Sequence, residues 1–411
     1  MKSDLPALME ARGLDALIIL GDAMHNPAMT YFTGVKHVTD GVLVLKRGEE
    51  PVLFYHNMER DEAAATGLQT RSITDYNYRD IYEQEGKNPL RATARLYQRM
   101  LIDTGLTSGK VAIYGLRDAG ETFGLVSGLQ ELLPNIEFTG EYKDSVLLQA
   151  RATKDPQEIV QMRSVAQKTV EVVGLVADFL SRQKDVSGIL TGEDGQPVTV
   201  AKVKALINRL LAERDMDNPH GTIFAPGAEG GVPHSQGSPD APLRIGEPIV
   251  FDIYPVQAGG GYFADFTRTW CVGHASPEAQ ALYDDVRSVF DTVMSELKTG
   301  VHGTVYQDRV CELFEAQGHP TVRKDPLTRN GYVHSFAHGL GLDIHERPST
   351  GRDTTAEDVL KPGMVITVEP GLYYPERGLG VRIEDAVYMH PDGSIEILAP
   401  YPYDLVIPLK S

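Results

Sequence analysis

Four carboxylates stand in or at the end of apolar, strand-like runs: Asp252 in IVFDIYPV, Asp265 in GYFADFTRTW, Glu369 closing GMVITVE, and Glu384 in GVRIEDAVYM. An acid buried in such a run needs a positive partner, because an unpaired buried charge is costly. Ile249 to Val272 reads as a β-hairpin around Gln257-Ala258-Gly259-Gly260-Gly261. Centred near Ala258-Gly259, the hairpin sets Asp252 opposite Asp265, with Cβ atoms roughly 5 Å apart. A divalent metal, or two, answers that repulsion most simply. On the hairpin alone, two solvated edge residues are an equal reading, and the rest of the chain has to decide. The stretch HSFAHGLGLDIHE adds His334, His338 and His345, and its Gly339 and Gly341 allow close backbone approach beside His338. An oxygen-rich site with one imidazole suits manganese, cobalt, iron or zinc better than a closed structural zinc site does. Four carboxylates exceed the needs of one ion and suit two, bridged by carboxylates and a water or hydroxide.

The elements that must position these groups fall into two domains. Residues 1–150 alternate helical and strand patterns, with strands at Ala16-Leu20, Gly41-Leu45, Pro51-Tyr55 and Lys110-Tyr114. They read as an α/β domain with a mostly buried sheet. His25, Asn26 and His37 lie in its polar loops without ligand spacing. The boundary falls near Arg151-Lys154, and residues 151–411 form the second domain. There Asp155-Pro156-Gln157-Glu158 is a helix start, with an Asp cap, Pro at the first helical position and Glu three residues after the cap. That helix runs to about Ser181, and a second runs from Thr199 to Arg214. After the hairpin come helices opening at Ser276 and Thr304, then a strand ending in Glu369 and a single strand, Gly380 to Met389, holding Glu384. Two helices followed by an acid-bearing strand pair, twice over, make an α+β domain with internal pseudo-two-fold duplication.

Composition narrows the functional classes. The 411 residues exceed one compact core, and 42% hydrophobic with 23% charged residues is ordinary for a globular protein. A formal charge of −18 argues against nucleic acid and offers no basic patch for a membrane. Cys271 and Cys311 form no C-x-x-C pair, and so few cysteines suit a reducing compartment. The N-terminus has no signal-peptide layout and its apolar run is too short to span a bilayer, so a cytoplasmic protein is expected.

Five segments in order, PHSQG around His234, FDIYP with ADFTRT, AHGLGLDIHE, TVEPGLYY and GVRIED, resemble the pita-bread metallopeptidases. The resemblance is strongest to the branch containing aminopeptidase P and prolidase (Xaa-Pro dipeptidase), and TYFTG at Thr30-Gly34 resembles that family's N-terminal domain. The resemblance implies a dinuclear peptidase that hydrolyses Xaa-Pro bonds by attack of a metal-bridging hydroxide. It implies two divalent ions, Mn2+ first, with Co2+, Zn2+ or Fe2+ behind it, and a small peptide substrate with proline after the scissile bond. It assigns Asp252 to one ion, Asp265 and Glu384 to both, and His338 and Glu369 to the other. Glu369 would also shuttle the proton. His234 and His345 would bind substrate and stabilise the tetrahedral intermediate, and His334 would touch substrate beyond the scissile bond. Arg382, alternating with Glu384 on one strand face, joins the catalytic set by holding Glu384 or Asp252. A homodimer is implied because the family's N-terminal domain often caps the partner's site.

Plainer readings stand beside these. The lesser reading of His345 is a satisfied histidine beside Glu346; His334 also reads as structural, and Arg382 as one half of a salt bridge. Asp385, on the face opposite Glu384, reads as structural. The sequence also departs from the family: the hairpin turn is about two residues longer, Pro255 interrupts the first arm, and Ser235 follows His234 where an aromatic is common. The alternative functions keep the fold, the foremost being action on a non-proline peptide or a non-peptide C–N substrate. One is a creatinase-like C–N hydrolase without metal, another a metal-dependent lyase, a third a binding module that has lost its ligands. The intact ligand set argues against the first and third. The lyase carries an acid two residues after the first Asp, where this chain has Tyr254.

Overall fold

The computed structural model describes residues 1–351 and 354–410. The chain divides into two compact units: Met1–Arg151 with Gly259–Gly261, and Ala152–Ala258 with Tyr262 onward.

The first unit is a six-stranded mixed sheet built from β1 (Ala16–Gly21), β2 (Gly41–Lys46), β3 (Val52–Tyr55), β4 (Gln69–Ser72), β5 (Gly109–Gly115) and β6 (Ile136–Thr139), in the order β4-β3-β2-β1-β5-β6. All six residues of β1 are buried, which is why it reads as one unbroken apolar run rather than an alternating one. Helices Pro89–Asp103 and Ala119–Leu132 bring Met100, Leu101, Leu125 and Leu129 to its core.

The second unit opens with helix α1 (Pro156–Ser181). Asp155 accepts from the N–H groups of Gln157 and Glu158 at 2.9 and 3.0 Å, and Glu158 accepts from Asp155 N–H at 2.8 Å. This reciprocal cap satisfies donors that the first turn leaves free. Helix α2 (Val200–Ala212) follows, then the strands β7 (Thr222–Pro226), β8 (Pro248–Ile253) and β9 (Phe266–Val272). Helices α3 (Pro277–Glu296) and α4 (Gly303–Ala316) lead to β10 (His338–Gly339), β11 (Glu346–Ser349), β12 (Val365–Val368), β13 (Gly371–Tyr374), β14 (Leu379–Arg382), β15 (Asp385–Met389), β16 (Ile395–Ile397) and β17 (Val406–Ile407). One sheet has the order β7-β8-β9-β17, the other β11-β10-β12-β15-β16, and β13 pairs with β14 separately. The succession of two helices and a sheet thus occurs twice. Phe290 of α3 and Phe314 of α4 pack in one buried cluster with Ile366, Val368 and Val387. Among the described residues no helix is long and apolar enough to cross a membrane.

Two expectations about strands are corrected. Asp252 does not face Asp265: the β8/β9 register pairs Asp252 with Thr267. The hairpin centre therefore lies between Gly259 and Gly260, one residue later than expected. A shift of two residues keeps both acids on one face, because side chains alternate with period two. Nor is Gly380–Met389 one strand. It breaks between Arg382 and Asp385, as β14 pairs with β13 and β15 pairs with β12. Glu384 sits in the break, in a bridge to Thr267: Thr267 N–H donates to the Glu384 carbonyl at 3.3 Å and Glu384 N–H to the Thr267 carbonyl at 3.1 Å. That bridge joins the hairpin with Asp265 to the segment with Glu384.

Candidate metal centre

Asp265, His338 and Glu384 each offer a ligand atom, and the three atoms lie within 4.8 Å of one another. Asp265 and Glu384 are buried. His338 Nδ1 is 3.1 Å from the Gly339 carbonyl, which can only accept, so the proton sits on Nδ1. Nε2 is left facing Asp265 Oδ2 at 3.4 Å and Glu369 Oε1 at 3.6 Å. Glu369, just beyond β12, is fixed by its own N–H, which donates to the Phe336 carbonyl at 2.8 Å. His338 N–H in turn donates to Thr367 Oγ1 at 3.1 Å. The acid-bearing strand and the histidine segment are therefore laced together by one backbone bond and one bond to the Thr367 side chain.

Asp252 stands apart from the tight trio, held by Arg382 Nη2 at 2.5 Å from Oδ2. Its Oδ1 is buried and has no hydrogen-bond partner. Arg382 also donates to Tyr373 Oη at 2.7 Å, to Thr267 Oγ1 at 3.3 Å and to the Pro233 carbonyl at 3.3 Å, immediately before His234. Of the two acids that the sequence offered to Arg382, it takes Asp252. Glu384 is held by Thr267 Oγ1 instead, at 2.6 Å.

The electrostatics are those of too many acids in one dry place. Burial raises Asp265 to about 6, against the pull of its hydrogen bond with His338. Burial likewise raises Glu369 to about 7, with His338 and Arg382 pulling back. Glu384 is pushed well above the carboxylate range, by burial first and then by the charges of Asp265, Glu369 and Asp252. Burial would lower His338, but its bond to Asp265 and the carboxylate of Glu369 outweigh that and bring it to about 9. The polypeptide alone thus meets its charge excess with protons. A divalent cation replaces them directly, and the donor set fits one: hard carboxylate oxygens, one imidazole nitrogen with its tautomer fixed, and an unpartnered carboxylate oxygen.

Residues 160–391 match the profile of Metallopeptidase family M24. The chain belongs to that family. Residues 3–140 match the Creatinase/Prolidase N-terminal domain. A Xaa-Pro dipeptidase of Pyrococcus horikoshii is 26% identical over 392 residues, 94% of this chain and 93% of the relative. In fold the chain is similar to a Xaa-Pro dipeptidase from Bacillus anthracis, with a TM-score of 0.74 at 21% identity and 98% coverage of both chains. It is also similar to an X-Pro aminopeptidase from Thermotoga maritima, with a TM-score of 0.72 at 21% identity and 99% coverage of both. The M24 family is one of metal-dependent peptidases, so the protein is a metallopeptidase whose sequence has a creatinase-type N-terminal domain followed by a pita-bread domain.

Three histidines border the M24 cluster. His334 Nδ1 lies 2.7 Å from the Ser335 carbonyl and its Nε2 lies 2.9 Å from Tyr373 Oη. Burial, then Arg382, hold it down to about 3. The neutral ring therefore donates from Nδ1 and accepts from Tyr373 at Nε2. His345 is exposed, its ring 4.4 Å from that of His338, edge to face. Partial withdrawal from water and the imidazoles of His338, His234 and His220 hold it down to about 4. His234 is exposed in the loop that follows the short helix Gly227–Gly230.

Sequence reasoning missed Thr267, Tyr373 and His220. Thr267 had a signal, lying two residues beyond Asp265 and so on the same strand face. Tyr373 lay inside the TVEPGLYY segment but carries no charge to draw attention. His220 had no signal; it is exposed and stacks on Phe263 at 5.8 Å between ring centres. Asp385 faces away from the centre into Arg268, 2.9 Å from its Nη2, with both side chains buried.

Proposed function

We propose that this M24 metallopeptidase hydrolyses the bond preceding a proline, in dipeptides or at peptide N-termini. Asp252, Asp265, His338, Glu369 and Glu384 would hold two divalent ions, with manganese the first candidate. The observation that carries the reading is the unpartnered Oδ1 of Asp252 beside a proton-laden acid cluster. An orphaned buried carboxylate oxygen costs free energy that a cation recovers. The proline preference is supported by the Xaa-Pro dipeptidase of P. horikoshii, which is similar over 94% of this chain.

Bound ions supply Lewis acidity and bring the pKa of a water toward neutrality. The other roles belong to side chains. A bond to proline is a tertiary amide, so its nitrogen must acquire a proton to leave. Glu369 takes the proton of the attacking water on its carboxylate and delivers it to that nitrogen. His345, neutral at pH 7 with its pKa near 4, and His234 donate N–H to the carbonyl oxygen as negative charge grows there. His334, steadied by Tyr373 and Ser335, contacts the residue after the scissile bond. Arg382 keeps Asp252 oriented. A homodimer in the cytoplasm completes the reading: Cys271 and Cys311 are free and buried, which suits a reducing compartment.

The test is turnover of an Xaa-Pro dipeptide, an Xaa-Pro-Yaa peptide, a non-proline dipeptide and creatine by manganese-loaded and chelator-stripped protein. Metal-dependent cleavage of the dipeptide alone identifies a dipeptidase, and of the longer peptide an aminopeptidase. Cleavage confined to the non-proline dipeptide or creatine overturns the proline assignment. Sedimentation equilibrium checks the dimer.

A further inference from the structure

We infer that the buried ion pair between Lys154 and Glu346 is a positioning device for His345; the inference rests on the reading of His345 given above. Lys154 Nζ lies 3.1 Å from Glu346 Oε2, and each side chain is 1% exposed. Glu346 follows His345 directly and opens β11, and its carboxylate turns back beneath the loop that precedes it. Oε1 accepts from the N–H of Leu342 at 2.8 Å and of Asp343 at 3.1 Å. The loop backbone rests on the carboxylate so closely that a Cβ on Gly341 would lie 2.3 Å from Oε2. The second glycine of AHGLGLDIHE is therefore a seat for Glu346. From the other side, the Gly341 carbonyl accepts from Phe263 N–H at 2.8 Å.

Lys154 is itself anchored to the second sheet. Its N–H donates to the Gly363 carbonyl at 2.8 Å, and Thr153 bridges Met364, both at the entry to β12. β12 leads straight to Glu369. Lys154 thus joins the strand that carries the proton-transferring Glu369 to the loop that ends in His345. His345 itself is exposed, and its ring edges against that of His338. Beyond that edge contact, the ring takes its position from the backbone it stands on.

Stability alone is a poor reason for such a pair. Two desolvated charges are seldom better than two well-packed apolar side chains of similar volume. What the pair provides is direction. One carboxylate with three donors fixes Leu342, Asp343 and the residue next to His345 against a single ammonium. A catalytic donor displaced by about 1 Å loses on the order of 100-fold in rate, which gives selection a reason to keep the charges.

The experiment is a double-mutant cycle on the manganese-loaded enzyme with an Xaa-Pro dipeptide. Lys154→Met and Glu346→Gln are each made in the native and the His345→Ala backgrounds. Metal content, unfolding midpoint, kcat and KM are measured for every protein. Expected is a fall in kcat of about 10- to 100-fold for each single variant at unchanged metal content, and less than about 3-fold further loss in the His345→Ala background. Lys154→Arg, which keeps the charge, should recover most of the native kcat. If Lys154→Met does not fold, Glu346→Gln in the two backgrounds carries the cycle alone. Equal losses in both backgrounds at full metal content, or native kcat in the single variants, overturn the inference. Native kcat in His345→Ala overturns the reading of His345, and the positioning role with it.

Discussion

Arg382 and Asp252 meet at 2.5 Å with both side chains buried, and the same guanidinium reaches Tyr373, Thr267 and the carbonyl of Pro233. Four partners at fixed angles require a planar fork. Lysine offers a single flexible point charge and reaches at most part of the set. Arg382→Lys should therefore lower kcat by about 100-fold despite conserving charge. Arg382→Ala should in addition destabilise the fold by about 3–5 kcal/mol, because Asp252 is left as an unpaired buried charge. Steady-state kinetics and denaturant midpoints distinguish the two effects.

Tyr373 stands between the arginine and a histidine. Its hydroxyl accepts from Arg382 Nη1 at 2.7 Å and donates to His334 Nε2 at 2.9 Å. Tyr373→Phe preserves the buried ring and removes the relay. The expected result is a folded protein destabilised by about 1–3 kcal/mol, the cost of unsatisfied buried groups. Its kcat/KM should fall about 10-fold. A variant with native kcat/KM would mean that His334 orients itself without Tyr373.

Much of this was readable in the sequence, for reasons that differ by residue. Acids inside apolar runs announce themselves, since burial without a partner is so costly; Asp252, Asp265 and Glu384 became candidates that way. The start of α1 was legible because Asp155, Pro156 and Glu158 carry their own hydrogen-bond logic. Register was not legible. The glycine run Gly259-Gly260-Gly261 leaves the hairpin centre free to slide by a residue either way, and only pairing with β7 and β9 fixes Asp252 opposite Thr267. The break at Glu384 was equally hidden. Nothing in GVRIED marks a change of partner strand, because the bridge that decides it comes from Thr267, 117 residues earlier. Networks through uncharged residues such as Tyr373 become visible only in three dimensions.

Gly380, at the head of GVRIED, is a close-approach glycine. A Cβ there would lie 1.8 Å from the Gly230 carbonyl oxygen, in the short helix that leads to the His234 loop. Backbone, not a flexible side chain, occupies the space, so the clash cannot be relieved by a rotamer change. Gly380→Ala should cost at least about 1–3 kcal/mol, the range for overpacking a tight site. Because the strain falls on the segment before His234, KM for the peptide should rise more than the unfolding midpoint alone would predict. A native midpoint would show that the strand and the short helix part without penalty.

The proton-laden acid cluster makes a prediction about metal removal with a definite sign. In metal-free protein, burial raises Asp265 from 3.8 to about 6 and Glu369 from 4.5 to about 7, and the carboxylate neighbours raise His338 from 6.5 to about 9 despite its burial. Each group binds protons more tightly folded than unfolded. Its contribution to stability is therefore complete below its unfolded pKa and is lost as pH rises through the folded value. For the two acids that window runs from about pH 4 to pH 7, and His338 extends the loss above it. Bound cations take the place of those protons, so their affinity rises over the same window as protons are released. The gap in Tm between metal-loaded and chelator-stripped protein should consequently widen between pH 5.5 and 7.5, by on the order of 5 °C. Acid-sensitive salt bridges elsewhere affect both forms equally and cancel in the difference. Differential scanning calorimetry of both forms across this range measures it. A gap that is constant or narrows with pH would mean that the ions do not displace protons from these residues.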